Sequence, residues 1–162
     1  RVLARMTLDY SMPLILTTTM EDYIGPTIPD LQEVAPDAFT TRFKRGGELS
    51  CWDDPALEAG VKATRRKNIV LAGLTTDICM FWAARDAVRL GYRVAVIADA
   101  CGTMTALGDE VTYDRLRTMG VTVTVVNQIV TELVNNFGTS DGQKAQKIMG
   151  DEIISKLLPA RV

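Results

Sequence analysis

The sequence predicts an α/β fold with a mostly parallel sheet, and three neighbouring segments support this. Residues 69–72 form a short apolar run, Ile-Val-Leu-Ala, which is typical of a strand buried on both faces. Ile78 to Leu90 has the length of a helix and contains neither Gly nor Pro, and Gly91 ends it. Arg93 to Ala98 is a second apolar strand. Strand, helix and strand in this order form a βαβ unit, in which the two strands run parallel.

The segments before this unit predict further helices and strands. They are a helix over Val2 to Tyr10, a strand over Leu14 to Thr19, a loop over Glu21 to Pro36 with at most a short helix near residues 31–34, a short strand over Phe39 to Phe43, and a helix from Pro55 to about Arg66 that Asp53 or Asp54 caps. A helix before the first strand, and Arg1 in place of Met, suggest that a strand upstream of Arg1 is missing.

The segments after the unit continue the alternation of helix and strand. We expect a helix over Gly108 to Met119, a strand over Val121 to Val126, a helix over Ile129 to Phe137, and a C-terminal segment, 141–158, whose helix runs from Ala145 to Leu158. Apolar residues line one side of this last helix. We therefore expect it to pack on the rest of the chain or on another subunit of a homo-oligomer.

Composition limits the classes of function. The 162 residues suit a single domain over 1–162. The net charge of −2 does not indicate the positively charged surface that binds nucleic acid. No apolar run approaches the ~20 residues of a membrane span. Three cysteines without a CxxC pair favour a reducing cytoplasm. Because the chain has no histidine, Cys-His and Ser-His-Asp mechanisms and His-ligated metal sites are excluded, and we expect neither metal nor cofactor.

Cys79 lies in the first turn of the central helix, just after the carboxyl end of a predicted parallel strand. Open α/β sheets bind ligands at this edge, and a helix N-terminus stabilises both a thiolate and an oxyanion. Position alone also allows a structural role, since cysteine is often buried and Met80, Phe81 and Trp82 beside it look like core residues.

Two further positions carry a functional and a structural interpretation. Lys44 and Arg45 precede Gly46 and Gly47, a pattern that fits an anion-binding turn, although adjacent cations are usually just solvated. Asp99 ends the second strand at the same edge as Cys79. It could be catalytic, but we favour a cap of the following turn.

The sequence Gly73-Leu-Thr-Thr-Asp-Ile-Cys79, followed by Ala83-Ala-Arg-Asp-Ala87, Gly91-Tyr92 and Asp99-Ala100, resembles the isochorismatase-like cysteine hydrolases. The segment 46–53, which contains Trp52, resembles a neighbouring family segment, particularly in a branch of oligomeric hydrolases of unsettled substrate. The resemblance covers roughly residues 1 to 130. It implies a three-layer α/β/α, Rossmann-like fold.

The resemblance also implies a set of site residues. Cys79 matches the family's nucleophile, and Lys44 and Arg45 compete for the position of its lysine, with Arg45 favoured by its distance to Trp52. A cis peptide between Leu74 and Thr75 would direct the amides of Thr75 and Cys79 at an oxyanion. The substrate, a small amide, ester or related carbonyl compound, would contact Trp52, Leu74, Thr76 and Phe81, and the loop over Glu21 to Pro29.

The family's aspartate base stands at the end of a first strand for which this sequence has no counterpart. We therefore keep a second hypothesis, a catalytically silent member or incomplete chain that serves in assembly or small-molecule binding. A flavodoxin-like nucleotide binder is a third, weaker hypothesis because the loop from Leu74 to Asp77 lacks the glycines that phosphate binding requires.

Overall fold

The computed structural model describes residues 1–157. Its strands are β1 (Thr17–Thr19), β2 (Phe43–Arg45), β3 (Asn68–Leu74), β4 (Arg93–Gly102) and β5 (Thr122–Thr124). Its α-helices are α1 (Val2–Asp9), α2 (Glu21–Ile24), α3 (Pro29–Val34), α4 (Pro36–Thr40), α5 (Pro55–Ala63), α6 (Phe81–Arg89), α7 (Ala106–Thr118), α8 (Val126–Val134), α9 (Ser140–Met149) and α10 (Ser155–Leu157). A 3₁₀ turn (Cys51–Asp53) and two π-helical turns (Thr76–Met80 and Gly150–Ile154) complete the described elements.

The described residues form two compact units. One contains residues 1–16, 27–42 and 127–157, and the other contains residues 17–26 and 43–126, with all five strands. The prediction of a single domain over residues 1–162 stays a prediction. No helix within residues 1–157 is long and apolar enough to cross a bilayer.

All strand pairs in the strand-bearing unit are parallel, which confirms the predicted α/β class. Strands β3, β4 and β5 form one sheet in that order, with Ile69 opposite Val94 and Val96 opposite Val123. Strands β1 and β2 form a second, two-stranded sheet, with Thr19 opposite Arg45. Among the described residues, β3 pairs only with β4, and the register of this pair shifts between Leu71 and Gly73.

The βαβ unit forms largely as predicted, but its helix starts differently. A π-helical turn precedes α6, so the chain between β3 and α6 is wound more widely than an ordinary first turn. Gly91 follows α6 with φ 86°, the left-handed conformation that glycine adopts without steric cost. Strand β4 then continues to Gly102, four residues further than predicted.

The core of this unit packs α6 against β4 through small and aromatic side chains. Ala84 and Ala87 are fully buried on α6, and Val96 is fully buried on β4. Trp52 stacks on Tyr92 with ring centroids 5.3 Å apart, and both belong to or pack against this core. Strand β3, in contrast, is not buried on both faces as predicted, because Val70 remains 47% exposed on a strand with one neighbour.

The segment between β1 and β2 differs most from the prediction. Residues 21–40 form three short helices rather than a loop with one, because Pro29 and Pro36 occupy first-turn positions where no amide N–H is needed. The predicted strand over Phe39 to Phe43 is wrong. Its first residues belong to α4, and β2 only begins at Phe43.

Other boundaries move by a few residues. Strand β1 spans three residues instead of six, and β5 spans three. Helix α8 begins and ends three residues before its predicted limits. The C-terminal segment is helical from Ser140, with a π-helical turn at Gly150–Ile154. The predicted end of that helix at Leu158 lies outside the described residues.

The unit without strands is held together by charged residues and by one close backbone approach. Arg1 Nε lies 2.7 Å from Glu152 Oε2, and Arg5 Nη1 lies 3.1 Å from Glu152 Oε1. These ion pairs link the start of the chain and α1 to the π-helical turn after α9. At the start of α9, Gly142 packs against the preceding loop. A Cβ atom there would overlap the Asn136 carbonyl and lie 2.6 Å from the Cα of Phe137.

Candidate active site

The turn that carries Cys79 follows directly on β3. The peptide bond between Leu74 and Thr75 is cis, which is the bond that the resemblance implied. The Thr75 carbonyl accepts hydrogen bonds from the N–H groups of Ile78 (3.3 Å) and Met80 (3.1 Å), which closes the π-helical turn. Cys79 is half-buried in the middle of this turn.

Asp77 ties the Cys79 turn to the loop after β4. Its Oδ1 accepts a hydrogen bond from Thr103 Oγ1 at 2.5 Å, and this bond lowers the pKa of the Asp77 carboxyl. Its Oδ2 lies 3.4 Å from the position that a Cβ on Gly108 would occupy. Asp77 therefore joins the start of the central helix to the start of α7, an arrangement that the sequence did not reveal.

The two cations that competed for the lysine position face different surroundings. Lys44 has a 62% exposed side chain, and its Nζ lies 3.3 Å from Glu21 Oε2. Arg45 is 9% exposed, and its Nε donates to Thr17 Oγ1 (2.9 Å) and its Nη1 to the Glu48 carbonyl (2.7 Å). Among residues 1–157, no carboxylate pairs with Arg45. Both cations belong to β2, and anion binding at the turn that follows them stays a prediction.

The three cysteines are free thiols in distinct environments. Burial raises the pKa of Cys51 to about 11, and the nearby Arg45 charge opposes this rise. Burial also raises the pKa of Cys101 to about 11. Arg45 and Cys79 therefore each lie near enough to Cys51 to act on its thiol electrostatically. Within residues 1–157, no three Cys, Asp or Glu side chains converge as a metal site would require.

The residues expected to contact a substrate divide into buried and exposed ones. The Trp52 indole donates to the Ala83 carbonyl at 2.8 Å inside the core, and Phe81 is 6% exposed under the Arg115 guanidinium. Thr76 is fully buried. Leu74 is the exposed member of the set. Contact of any of them with a substrate stays a prediction.

Three supporting groups were missed at the sequence level. Thr17 and the Glu48 carbonyl hold Arg45, and Thr103 holds Asp77. The signal for Thr17 was its place in a predicted strand that pairs with β2 in parallel. The others depend on loop conformations that no local pattern indicated.

Asp99 does not cap the turn that follows it. Its Oδ1 accepts a hydrogen bond from the N–H of Val126 at 2.8 Å, the first residue of α8. The carboxylate thus caps a helix that starts after β5, because parallel neighbours bring the ends of β4 and β5 together. Asp99 is therefore a cap, as predicted, but it caps helix α8 and not the turn that follows β4.

The sequence profile of the isochorismatase domain matches residues 23–128, which is more than half of the chain. The chain belongs to the isochorismatase family. It is 35% identical over 112 residues to the probable hydrolase YcaC of Escherichia coli (strain K12), a match that covers 68% of this chain and 53% of YcaC. The chain therefore spans about half the length of this curated relative.

Solved structures of isochorismatase-family relatives share the fold. YcaC from Pseudomonas aeruginosa, solved with hexane-2,5-diol and covalent acrylamide, superposes with a TM-score of 0.86 at 28% identity, covering 96% of this chain and 76% of that chain. The E. coli YcaC structure is described as an octameric hydrolase of unknown specificity. It superposes with a TM-score of 0.86 at 28% identity, and the match covers 95% of this chain and 74% of that chain. These findings confirm the family resemblance and the α/β/α, Rossmann-like fold class.

Proposed function

We propose that this isochorismatase-family chain provides the nucleophile of a metal-free hydrolase that acts on a small amide, ester or related carbonyl compound. The observation that carries the proposal is the position of Cys79. Its thiol lies in the first turn of a long helical segment, directly after the carboxyl end of a parallel strand. The unpaired N–H groups of such a turn stabilise a thiolate before reaction and an oxyanion during it.

The chemistry proceeds through a thioester. The Cys79 thiolate adds to the carbonyl carbon, and the electron pair of the carbonyl moves to its oxygen, where the amides of Thr75 and Cys79 donate to it. The oxyanion collapses, the bond to the amine or alcohol breaks, and this leaving group takes up a proton from solvent. Water then adds to the thioester, loses a proton, and releases a carboxylic acid and the Cys79 thiolate.

Arg45, rather than Lys44, supplies the positive charge in this proposal. Arg45 is buried, is held by two neutral acceptors and acts electrostatically on Cys51, the thiol on which Cys79 also acts. A buried guanidinium without a carboxylate partner favours a negative charge nearby, and a thiolate or an oxyanion would provide it. Lys44 is exposed and already paired with Glu21.

The relatives support a hydrolase whose nucleophile attacks an electrophilic carbon atom. E. coli YcaC is described as a probable hydrolase, and the P. aeruginosa structure holds covalent acrylamide. Acrylamide is an electrophile that thiols attack. The octameric state described for E. coli YcaC supports a homo-oligomer here too, with a small molecule as substrate and, as the cysteine usage suggested, the cytoplasm as location.

A catalytically silent member is the alternative, and one observation favours it. Among residues 1–157, no carboxylate bonds to Arg45 or to Cys79, so no described residue takes the part of the aspartate base that the family resemblance implied. General acid–base help is typically worth 10² to 10⁴-fold. Its absence would reduce turnover strongly while leaving attack by the thiolate possible.

Alkylation by iodoacetamide tests the proposal. The protein is labelled for short times between pH 6 and 10, digested, and analysed by mass spectrometry for label on each cysteine. We expect Cys79 to react well before Cys51 and Cys101, whose pKa burial raises to about 11. The Cys79→Ser variant should lose the early label and any hydrolysis of aryl esters. A Cys79 that reacts no faster than the other two would leave the silent member as the better description.

A further inference from the structure

Exposed cations gather where strands β3 and β4 begin, at the end of the sheet opposite to Cys79. Three of them lie between α5 and β3, one ends α6 and one begins β4. We call this group the basic edge, and its members are all exposed: Arg65, Arg66, Lys67, Arg89 and Arg93. Charges of one sign on a single edge of a fold indicate a surface that attracts the opposite sign.

Backbone contacts show that the basic edge is continuous. The N–H of Arg93 donates to the Lys67 carbonyl at 2.9 Å, and Asn68 lies opposite Arg93 in the parallel ladder. The two arginines before Lys67 are its direct neighbours in sequence, and Arg89 lies four residues before Arg93, across the turn that follows α6. Cations from two separate segments of the chain therefore meet at the start of adjacent strands.

Most of these cations have no acidic partner within the protein. Among residues 1–157, no carboxylate lies within ion-pair distance of four members, and only Arg89 has one, since its Nη1 lies 3.6 Å from Asp86 Oδ1. That same oxygen lies 2.7 Å from Arg85 Nη2. The carboxylates of the protein therefore leave the basic edge largely uncompensated.

Helix dipoles explain only part of the basic edge. Helices α5 and α6 both end here, and the C-terminus of a helix carries about half a negative charge. The two helix ends offset roughly one positive charge, and Asp86 offsets at most one more, which leaves about three. This surplus exceeds what the ends of the helices require for their own stability.

We propose that the basic edge binds an acidic segment of another protein. Clusters of arginine recognise acidic motifs, because each planar guanidinium can donate two parallel hydrogen bonds to one carboxylate. An extended segment places the carboxylates of one side about 7 Å apart, and neighbouring strands lie about 4.8 Å apart. The long side chains of arginine and lysine span this difference, so a segment that crosses the ends of β3 and β4 can pair with several of them.

Two observations favour an acidic protein segment over a nucleic acid. The whole chain carries a net charge of −2, which repels a long polyanion, whereas a short segment experiences mainly the charges within the Debye length of about 8 Å. Nucleic acid without a partner strand also binds through bases that stack on aromatic rings. Tyr92, the aromatic residue beside Arg93, already stacks on Trp52.

The proposal does not depend on the thiol chemistry. The basic edge lies at the start of β3, and the Cys79 turn follows the end of this seven-residue strand, which is about 20 Å long at 3.3 Å per residue. A segment bound at the basic edge should therefore leave the Cys79 thiol accessible. Binding of the segment and labelling of Cys79 can be measured independently.

The test uses an octaglutamate peptide with a neutral fluorophore, and fluorescence anisotropy of its mixture with the complete protein. We expect saturable binding at about 20 mM salt that weakens as salt rises, and no binding of the matching octaglutamine peptide. Arg66→Ala and Arg93→Ala should each weaken binding about two- to fivefold, the range for one exposed ion pair. Lys147→Ala removes an exposed cation from the unit without strands and should resemble the parent. Melting temperatures establish that the variants fold.

Four results would overturn the proposal. They are failure of the octaglutamate peptide to bind, an equal loss of binding in Lys147→Ala, slower iodoacetamide labelling of Cys79 with saturating peptide, and tighter binding of another polyanion. The third result would place the peptide at the Cys79 end of the sheet. For the fourth, the alternatives are a thymidine oligonucleotide of the same charge and phosphatidylserine vesicles. Peptide binding that depends on Arg66 and Arg93, together with an unreactive Cys79, would reject the hydrolase and retain the basic edge as a binding surface.

Discussion

Lys44 and Arg45 are consecutive on β2, yet the first is a solvated cation and the second a buried one. The Lys44 ammonium pairs with Glu21 at the surface, whereas the Arg45 guanidinium is enclosed by Thr17 and the Glu48 carbonyl. Alternate residues of a strand point to opposite sides, so this separation follows directly from the pleat. The two cations should therefore differ sharply in their influence on Cys79.

Replacing Arg45 tests this difference. In Arg45→Gln the buried charge is lost, and Cys79 alkylation at pH 7 should slow by about tenfold, as removal of one nearby opposite charge typically does. Lys44→Gln is the matched control and should change the rate less than twofold, because surface charges are screened. Circular dichroism would establish that both variants fold. Equal effects of the two substitutions would contradict the assignment to Arg45.

The contact between Thr103 and Asp77 should hold the Cys79 turn in place above acidic pH. Thr103→Val removes the donor that lowers the pKa of Asp77, and we expect a lower melting temperature at pH 7. Because the folded pKa is the lower one, the contribution of this bond is complete above the usual carboxyl pKa and is lost as pH falls through the folded pKa. The melting temperatures of parent and variant should therefore converge toward pH 3. A constant difference between pH 7 and pH 3 would contradict this role.

The Trp52 indole should stabilise the fold through its hydrogen bond as well as its volume. Trp52→Phe removes the indole N–H that donates to the Ala83 carbonyl in the core, a net loss of about 1 kcal/mol, in addition to lost packing on Tyr92. Trp82→Phe is the control, since the Trp82 indole is only half-buried and stacks under Arg85. Urea unfolding should give a clearly larger loss for Trp52→Phe. Similar losses would show that the hydrogen bond contributes little.

The buried thiols should make the protein sensitive to alkali. Cys51 and Cys101 ionise near pH 11 in the folded chain but near the ordinary thiol pKa of about 8.5 when unfolded. The folded state thus binds more protons between these values, and its stability falls as pH rises through this window, by on the order of 2 kcal/mol per thiol. In Cys51→Ala the dependence of unfolding free energy on pH from 9 to 11 should be roughly halved. An unchanged slope would contradict the burial effect.

The sequence predicted the βαβ unit well because its signals are local. The apolar run before Gly73, the uninterrupted helix and Gly91 each act within a few residues, and the structure places strand, helix and helix end close to the predicted positions, although β3 is half-exposed and the helix begins with a π-helical turn. The segment over residues 21–40 was mispredicted because prolines were taken as helix breakers. Pro29 and Pro36 instead begin helices, which depends on whether the residue before each proline leaves the helical conformation.

The position of the candidate nucleophile could be predicted from the sequence, whereas the contacts that hold the site residues in place could not. Cys79 could be placed from the strand and helix that flank it. The π-helical turn, the bond from Thr103 to Asp77 and the enclosure of Arg45 all arise from contacts between segments distant in sequence. Strand alternation could have separated Lys44 from Arg45, but only once β2 was recognised as a strand.

The close packing of Gly142 against Asn136 and Phe137 carries a consequence for variation at this codon. Every other amino acid places a carbon atom where the Asn136 carbonyl already lies, and that carbonyl also accepts the hydrogen bond from Thr139 Oγ1 that helps shape the start of α9. A saturation library at position 142 selected for soluble expression should return glycine alone. Among natural variants, this codon should tolerate silent changes and few others.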